Sequence, residues 1–257
     1  MPTDDPTPAG LAPESRRDPV VQRILAVLEA CAAERRPVTI TELAEATGLA
    51  KTTVHRMCWK LEDLGMLEHS ADGFSIGKKM LTLGNANPII NDLRIAAIPY
   101  LVELQKLAGA SQLAILSEGR ALIVDGLYTR ELRANTLMGA GLPLHSTAVG
   151  KAILARLSRQ RREEFLTTRM LRASTPHTIV NHAMIRRHLE RVVEQGYAVS
   201  NEEFQLGVVA VASAFRVRED TYAAIGCLGS STDRIEQRSA ARVSEAARQL
   251  QLVFDQT

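Results

Sequence analysis

Apolar residues recur at three- and four-residue steps from Val20, through Ile24, Val27 and Leu28, to Cys31. That period places them on one face of a helix. Asp18-Pro19 opens the helix and Arg35-Arg36-Pro37 stops it. Thr39-Ile40-Thr41-Glu42 then fits a capping box: the threonine oxygen accepts from the backbone three residues on, and the glutamate reaches back. Ile40, Leu43, Ala44 and Ala46 carry this second helix to Gly48, which suits a left-handed helix end. A third helix is expected over residues 51–64, ended by Gly65. Val54, Met57, Cys58, Leu61 and Leu64 share its inner face. Met66 to His69 predicts a strand, Ala71-Asp72-Gly73 a tight turn, and Phe74 to Ile76 the returning strand. Two helices, a glycine turn, a third helix and a hairpin form the order of a winged helix-turn-helix.

Residues 77–84 predict a short helix and residues 85–88 a break. Ile89 to Leu107 is a long helical pattern, with Pro99 as an expected kink, able to link two domains. Its Ile95, Ile98, Leu101 and Val102 offer an apolar stripe, for a second copy of the chain or for its own domain. Beyond Gly109, Gln112 to Leu116 and Ala121 to Leu127 are short apolar runs around Gly119. Residues 147–157, 160–168 and 182–195 are helical, 208–215 and 222–228 suit buried strands, and 234–254 form a final helix. Strands interleaved with helices indicate an α+β domain. The expected division is a disordered tail at 1–19, a winged helix-turn-helix at 20–84, a linker helix at 85–108 and an α/β domain at 109–257. The tail holds five of the chain's ten prolines among small and polar residues, a composition that cannot pack a core.

Composition excludes more than it selects. The 257 residues are 46% hydrophobic and 23% charged, ordinary for a soluble protein. Cys31, Cys58 and Cys227 lie far apart with no C-x-x-C, which supports neither a disulfide scaffold nor a zinc knot and fits a reducing cytoplasm. The longest apolar-rich run, 206–215, is about half a membrane span, and Asp4, Asp5 and prolines stand where a signal peptide needs apolar residues. The formal net charge is only +2, and residues 20–84 carry eight basic against eight acidic side chains. Nucleic-acid binding must therefore rest on where charges lie.

They lie on the third helix. From Lys51 to Lys60 there is no acidic residue, and the face opposite the apolar one carries Thr52, Thr53, His55, Arg56, Trp59 and Lys60. A helix fits the major groove with its first turns toward base edges. Arg56 suits the O6 and N7 of guanine. Thr52 and Thr53 suit phosphate through hydroxyls or helix N-terminal amides, and Lys51 and Lys60 suit phosphates. Thr39 and Thr41 of the preceding helix complete the DNA-contact candidates. Trp59, the only tryptophan, either wedges against a neighbouring helix or lies along the sugar-phosphate edge. Cys58 reads as a small apolar filler.

At these residues the chain resembles the IclR family of bacterial transcription regulators, from Val20 to Phe254. The likeness runs through residues 39–56 (TITELAEATGLAKTTVHR), Phe74-Ser75-Ile76-Gly77, Leu81-Thr82-Leu83-Gly84, residues 141–155 (GLPLHSTAVGKAILA) and residues 196–203 (GYAVSNEE) through Gly207. The resemblance implies a winged-helix domain, a linker helix and a GAF-like effector domain. It also implies homodimers that pair into tetramers on palindromic operators in double-stranded DNA, and repressors or activators that respond to a small organic effector.

Gly150-Lys151 is not a nucleotide loop, because His145 stands where the earlier glycine is needed and Ala152 replaces the Ser/Thr that holds magnesium. Residues 143–157 read instead as a loop leading into a helix capped by Ser146 or Thr147, whose first amides attract a carboxylate or carbonyl oxygen. Where relatives that sense small carboxylates carry a small pair before Gly-Lys, an Asp after Gly-Tyr, a proline after an Ala pair and serines in the last strand, this chain has Ala148-Val149, Ser200-Asn201, Ser213 and Gly226-Cys227-Leu228. The effector expected is larger or more apolar than a two- or three-carbon acid such as glyoxylate or pyruvate, held by apolar contact and few hydrogen bonds. The effector-contact candidates are Met138, Leu144, Ala148, Val149, Ser200, Asn201, Val208, Ala210, Gly226 and Leu228. Val208 and Ala210 alternate with Val209 and Val211, and apolarity on both faces leaves the choice between them to the resemblance. Glu202 and Glu203 either pair with basic residues of the loop or are solvated, the commoner fate of exposed acids. His177, His182 and His188 are spaced by five and six, unlike metal ligands on one helix face. His145 reads as a structural hydrogen-bonding residue, and no Ser-His-Asp set is legible. No catalytic residue, metal ligand or cofactor site is assigned. The reading is an effector-responsive regulator. The alternatives are an enzyme with a vestigial N-terminal domain, and a DNA-architectural or partner-binding module without an effector.

Overall fold

The computed structural model describes residues 19–34, 36–129 and 138–256, which form two compact units divided between Asn87 and Pro88. The expected tail lies outside the described residues up to 18; Pro19, assigned to it, is instead the first residue of a helix.

In the first unit, helices α1 (Pro19–Ala33), α2 (Ile40–Thr47) and α3 (Lys51–Asp63) precede a hairpin of β1 (Leu67–Ser70) and β2 (Gly73–Ile76), then α4 (Lys78–Asn85). Val27, Cys31, Leu43, Val54, Cys58, Leu61, Leu67 and Phe74 make one core. The periodicity of the three helices thus converts directly into packing. Leu64 departs from it: it is the residue at which α3 ends, and it is 54% exposed because the helical period no longer places it.

In the second unit, α5 (Pro88–Ala108) runs through Pro99 and buries Leu93, Ala97, Leu101 and Leu104 in the unit's own core. The apolar stripe on this helix is therefore split. Leu101 faces inward, while Ile95, Ile98 and Val102 stay exposed. The strands β3 (Ala110–Ser117), β4 (Arg120–Tyr128), β5 (Gly141–Leu142), β6 (Ala198–Asn201), β7 (Val208–Arg218) and β8 (Thr221–Ser230) form one antiparallel sheet in the order β5-β4-β3-β8-β7-β6. Residues Val211, Phe215, Ile225 and Cys227 pack with α5 and with α9 (Ile235–Asp255) on one face. Ala212 and Ala224 pack with α6 (Ala148–Arg156) and α8 (His182–Gln195) on the other. A further helix, α7 (Arg159–Thr168), adds Leu166 to that second layer. The architecture is α+β: a winged helix-turn-helix followed by an α/β domain covered on both faces. Edge strands β5 and β6 were not anticipated, because β5 has only two residues and β6 is not joined to its partner by a tight turn of the kind that marks β1 and β2.

Candidate nucleic-acid interface and effector cavity

Local chemistry sets the angle of α3. Thr39 caps α2 as expected, its Oγ1 accepting from Glu42 N at 3.3 Å while Thr39 N donates to the Glu42 carboxylate at 2.8 Å. Arg36 clamps that carboxylate at 2.7 Å, and these donors hold the Glu42 carboxyl well below its ordinary range, at about 2. Gly48 ends α2 with φ 68°, its N–H donating to Ala44 O. Three residues later α3 begins at Lys51, without a side-chain cap. The wing is tied back to the helices through Val38, which exchanges two backbone hydrogen bonds with Phe74. Gly73 permits this approach: its φ is 131°, and a Cβ there would stand 2.5 Å from Val38 O.

Lys51, Thr52, His55, Arg56 and Lys60 are all exposed on α3, Thr53 is half-buried, and Thr41 is exposed on α2. Among the described residues, no carboxylate pairs with Lys51, Arg56 or Lys60. Thr39 stands apart from this group, because its hydroxyl also donates to Glu42 and is consumed by the cap. Trp59 does not wedge against a neighbouring helix. Its ring packs on the wing, 4.8 Å from His69 and edge-on to Phe74 at 5.5 Å, and its Nε1 donates to His55 Nε2 at 3.1 Å.

The second site lies where α6 meets the sheet. Thr147 caps α6, its Oγ1 accepting from Gly150 N and donating to Pro143 O. Gly150 is required here, since a Cβ would stand 2.5 Å from Leu144 Cα. A cavity of about 40 Å³ opens beside this helix end, walled by Gln112, Leu142, Thr147, Ala148, Ser200, Phe204, Gln205, Val208, Ala210 and Leu228. Five effector-contact candidates meet there: Ala148, Ser200, Val208, Ala210 and Leu228. The other five do not line it. Met138 is 62% exposed, Asn201 is exposed at the sheet edge, and Leu144, Val149 and Gly226 are buried in packing. Gln112, Leu142, Thr147, Phe204 and Gln205 line it without having been among the effector-contact candidates; a buried glutamine inside an apolar strand was the available signal for the first.

Beneath the cavity lies a polar cluster that sequence reasoning missed. Lys151 is fully buried and its Nζ donates to Glu203 Oε1, so Glu203 is paired rather than solvated. Burial pushes the Lys151 ammonium down and the Glu203 carboxyl up, and each partner's charge pulls the other back toward its ionised form. Thr175 and Thr178 donate to the Glu202 and Glu203 carbonyls at 2.6 Å, and Ser200 Oγ donates to Ser146 O at 2.8 Å. The walls on either side of the cavity are thus stitched together. A lysine inside an otherwise apolar helix, Ala-Val-Gly-Lys-Ala-Ile-Leu, was the signal for this pair.

With this geometry in view, the comparisons are direct. Residues 90–252 match the bacterial transcriptional regulator IclR C-terminal domain, and residues 20–71 match the IclR helix-turn-helix domain. The chain belongs to the IclR family. It is 28% identical over 253 residues to the transcriptional repressor IclR of Escherichia coli, covering 95% of this chain and 92% of that one. It is also 28% identical over 225 residues to the p-hydroxybenzoate hydroxylase transcriptional activator of Acinetobacter baylyi, covering 82% and 81%. An IclR homolog from Microbacterium hydrocarbonoxydans, solved in complex with 4-hydroxybenzoate, shares the fold with a TM-score of 0.82 at 23% identity, covering 92% of this chain and 99% of that one.

As an IclR-family member the chain is a transcription regulator with a DNA-binding helix-turn-helix and an effector-binding domain, and not an enzyme. Within it His145 Nε2 lies 2.9 Å from Arg172 O, the structural hydrogen bond expected. Among the described residues no cluster of His, Cys, Asp or Glu can hold a metal ion, and no helix is long and apolar enough to cross a membrane.

Proposed function

We propose that the exposed face of α3 reads a palindromic operator as part of a dimer or dimer of dimers, and that a small organic effector more apolar than glyoxylate or pyruvate modulates this binding. For the DNA contacts the supporting observation is the cationic outer face of α3 over residues 51–60, which include no acidic residue, with Arg56 and both lysines unpaired among the described residues. Arg56 reads a guanine edge, and Lys51, Lys60, Thr41, Thr52 and Thr53 hold phosphates.

For the effector, one observation carries the reading. The cavity wall is six parts apolar to four neutral polar, with no charged side chain. Such a lining disfavours a compact, highly hydrated acid and favours a body with apolar surface. A carboxylate on that body would meet the first amides of α6. The names of two relatives carry the same aromatic acid, 4-hydroxybenzoate, which puts aromatic acids first among candidates. At about 40 Å³ the cavity is too small for an aromatic acid, so the effector enters by displacing lining side chains, with Phe204 and Gln205 on the loop before β7 the candidates to move. The same small volume favours the competing reading, a DNA-binding module without an effector.

Calorimetry with glyoxylate, pyruvate, 4-hydroxybenzoate and uncharged aromatic compounds tests the proposal. Binding of an aromatic compound is expected, and a ligand at 100 times its Kd stabilises by about 2.7 kcal/mol in thermal unfolding. Tight binding of glyoxylate or pyruvate, with none by aromatics, overturns the effector class. No thermal shift across a broad metabolite panel favours the effector-free module.

A further inference from the structure

We infer that Trp59 is a positioning residue, holding His55 in the one tautomer that offers its Nδ1–H to a hydrogen-bond acceptor on the DNA. The inference rests on the assignment of α3 as the DNA-reading helix. An indole N–H only donates, so the His55 Nε2 that receives it at 3.1 Å must carry a lone pair. In a neutral imidazole the single proton then sits on Nδ1. His55 and Trp59 stand one turn apart on α3, and the indole is itself fixed by the wing rings of His69 and Phe74. Among the described residues nothing accepts from His55 Nδ1, and the side chain is exposed beside Arg56. The result is a preset donor, next to an arginine, on the outer face of the helix. A donor reads an acceptor: the N7 or O6 of a purine edge, the O4 of thymine, or a phosphate oxygen. It rejects an amino group at the same place. The wing, through Trp59, thereby bears on what α3 reads.

The test uses the full-length chain and a duplex that it recovers from a randomised library, with poly(dI-dC) as non-specific DNA. Nitrogen NMR of the free wild-type protein is expected to show His55 as the Nδ1–H tautomer. Trp59→Phe keeps the packing on His69 and Phe74 but removes the donor. It is expected to lose that signature and to weaken binding of the recovered duplex by on the order of tenfold, with poly(dI-dC) binding unchanged where the acceptor is a base atom and weakened alike where it is a phosphate. In a His55→Ala background, Trp59→Phe should cost nothing more. Replacing purines by their 7-deaza forms, or single phosphates by methylphosphonates, locates the acceptor on a base or on the backbone. An Nε2–H tautomer in the wild type overturns the inference, as does an equal loss from Trp59→Phe with and without His55, which marks a structural role only. If Arg56→Ala abolishes recovery of the duplex while His55→Ala leaves it intact, DNA reading by α3 stands and this inference fails. If the wild type recovers no sequence at all, the DNA-reading assignment fails and takes this inference with it.

Discussion

Lys151 is fully buried with Glu203 as its partner, the first on α6 and the second on the loop after β6. Removing one member leaves the other charge buried and unanswered. Lys151→Met is therefore expected to cost about 3–5 kcal/mol in urea unfolding of the full chain, while Lys151→Met with Glu203→Leu should recover most of that loss. A cost below about 1 kcal/mol for the single substitution would show that the pair is not sealed as described. His188, half-buried nearby with its Nε2 unpartnered, gives a pH signature. Burial, and then the charges of Lys151 and Arg191, push its pKa from 6.5 down to about 4. Between those values the unfolded chain binds a proton that the native chain refuses, so stability should fall as the pH drops through this window and be fully present above it. His145, lowered by burial as well, acts in the same direction. Thermal unfolding between about pH 7 and pH 5 should show a declining Tm whose slope is reduced in His188→Gln. An unchanged slope would remove His188 as its source.

At the scale of the elements, the junction of Pro143, Leu144 and α6 sets the cavity, and Gly150 is the point where backbone meets backbone. Gly150→Ala places a methyl 2.5 Å from Leu144 Cα and 2.7 Å from Pro143 O. Neither is the movable end of a side chain, so α6 must shift. A loss of about 1–3 kcal/mol, measured by urea unfolding, is expected; a neutral result would mean that the junction is looser than described. What was legible in the sequence divides along the same lines. α1, α2 and α3 were readable because each buries a single stripe against a small core, and the cap at Thr39 and the turn at Gly48 leave local signatures. β5 and β6 left none, since their placement comes from pairing with β4 and β7 rather than from their own alternation. Glu203 was legible only as an acid among acids. Its burial depends on Lys151, 52 residues earlier in the chain.

Across the whole molecule the two units pose opposite problems of legibility. The face proposed to read DNA is local: one helix of thirteen residues holds it, and its outward placement follows from the apolar stripe behind it. The cavity is not local. Its walls come from β3, β5, β6, β7, β8 and the start of α6, and β7 is apolar on both faces. Only the packing of α6 on one side and α5 and α9 on the other shows that Val208 and Ala210 turn toward the cavity. That is why half of the anticipated effector contacts fell outside it, while Gln112 and Phe204 went unnoticed. The central claim, however, is the reading of DNA by α3, and one comparison tests it most directly. Wild type and Arg56→Ala, both full-length and matched in circular dichroism, are titrated against a duplex the wild type selects from random sequence. The account predicts that Arg56→Ala loses about 1–3 kcal/mol of affinity for that duplex and loses discrimination at one base position in each half-site. Equal affinity and equal discrimination by the two proteins would contradict it.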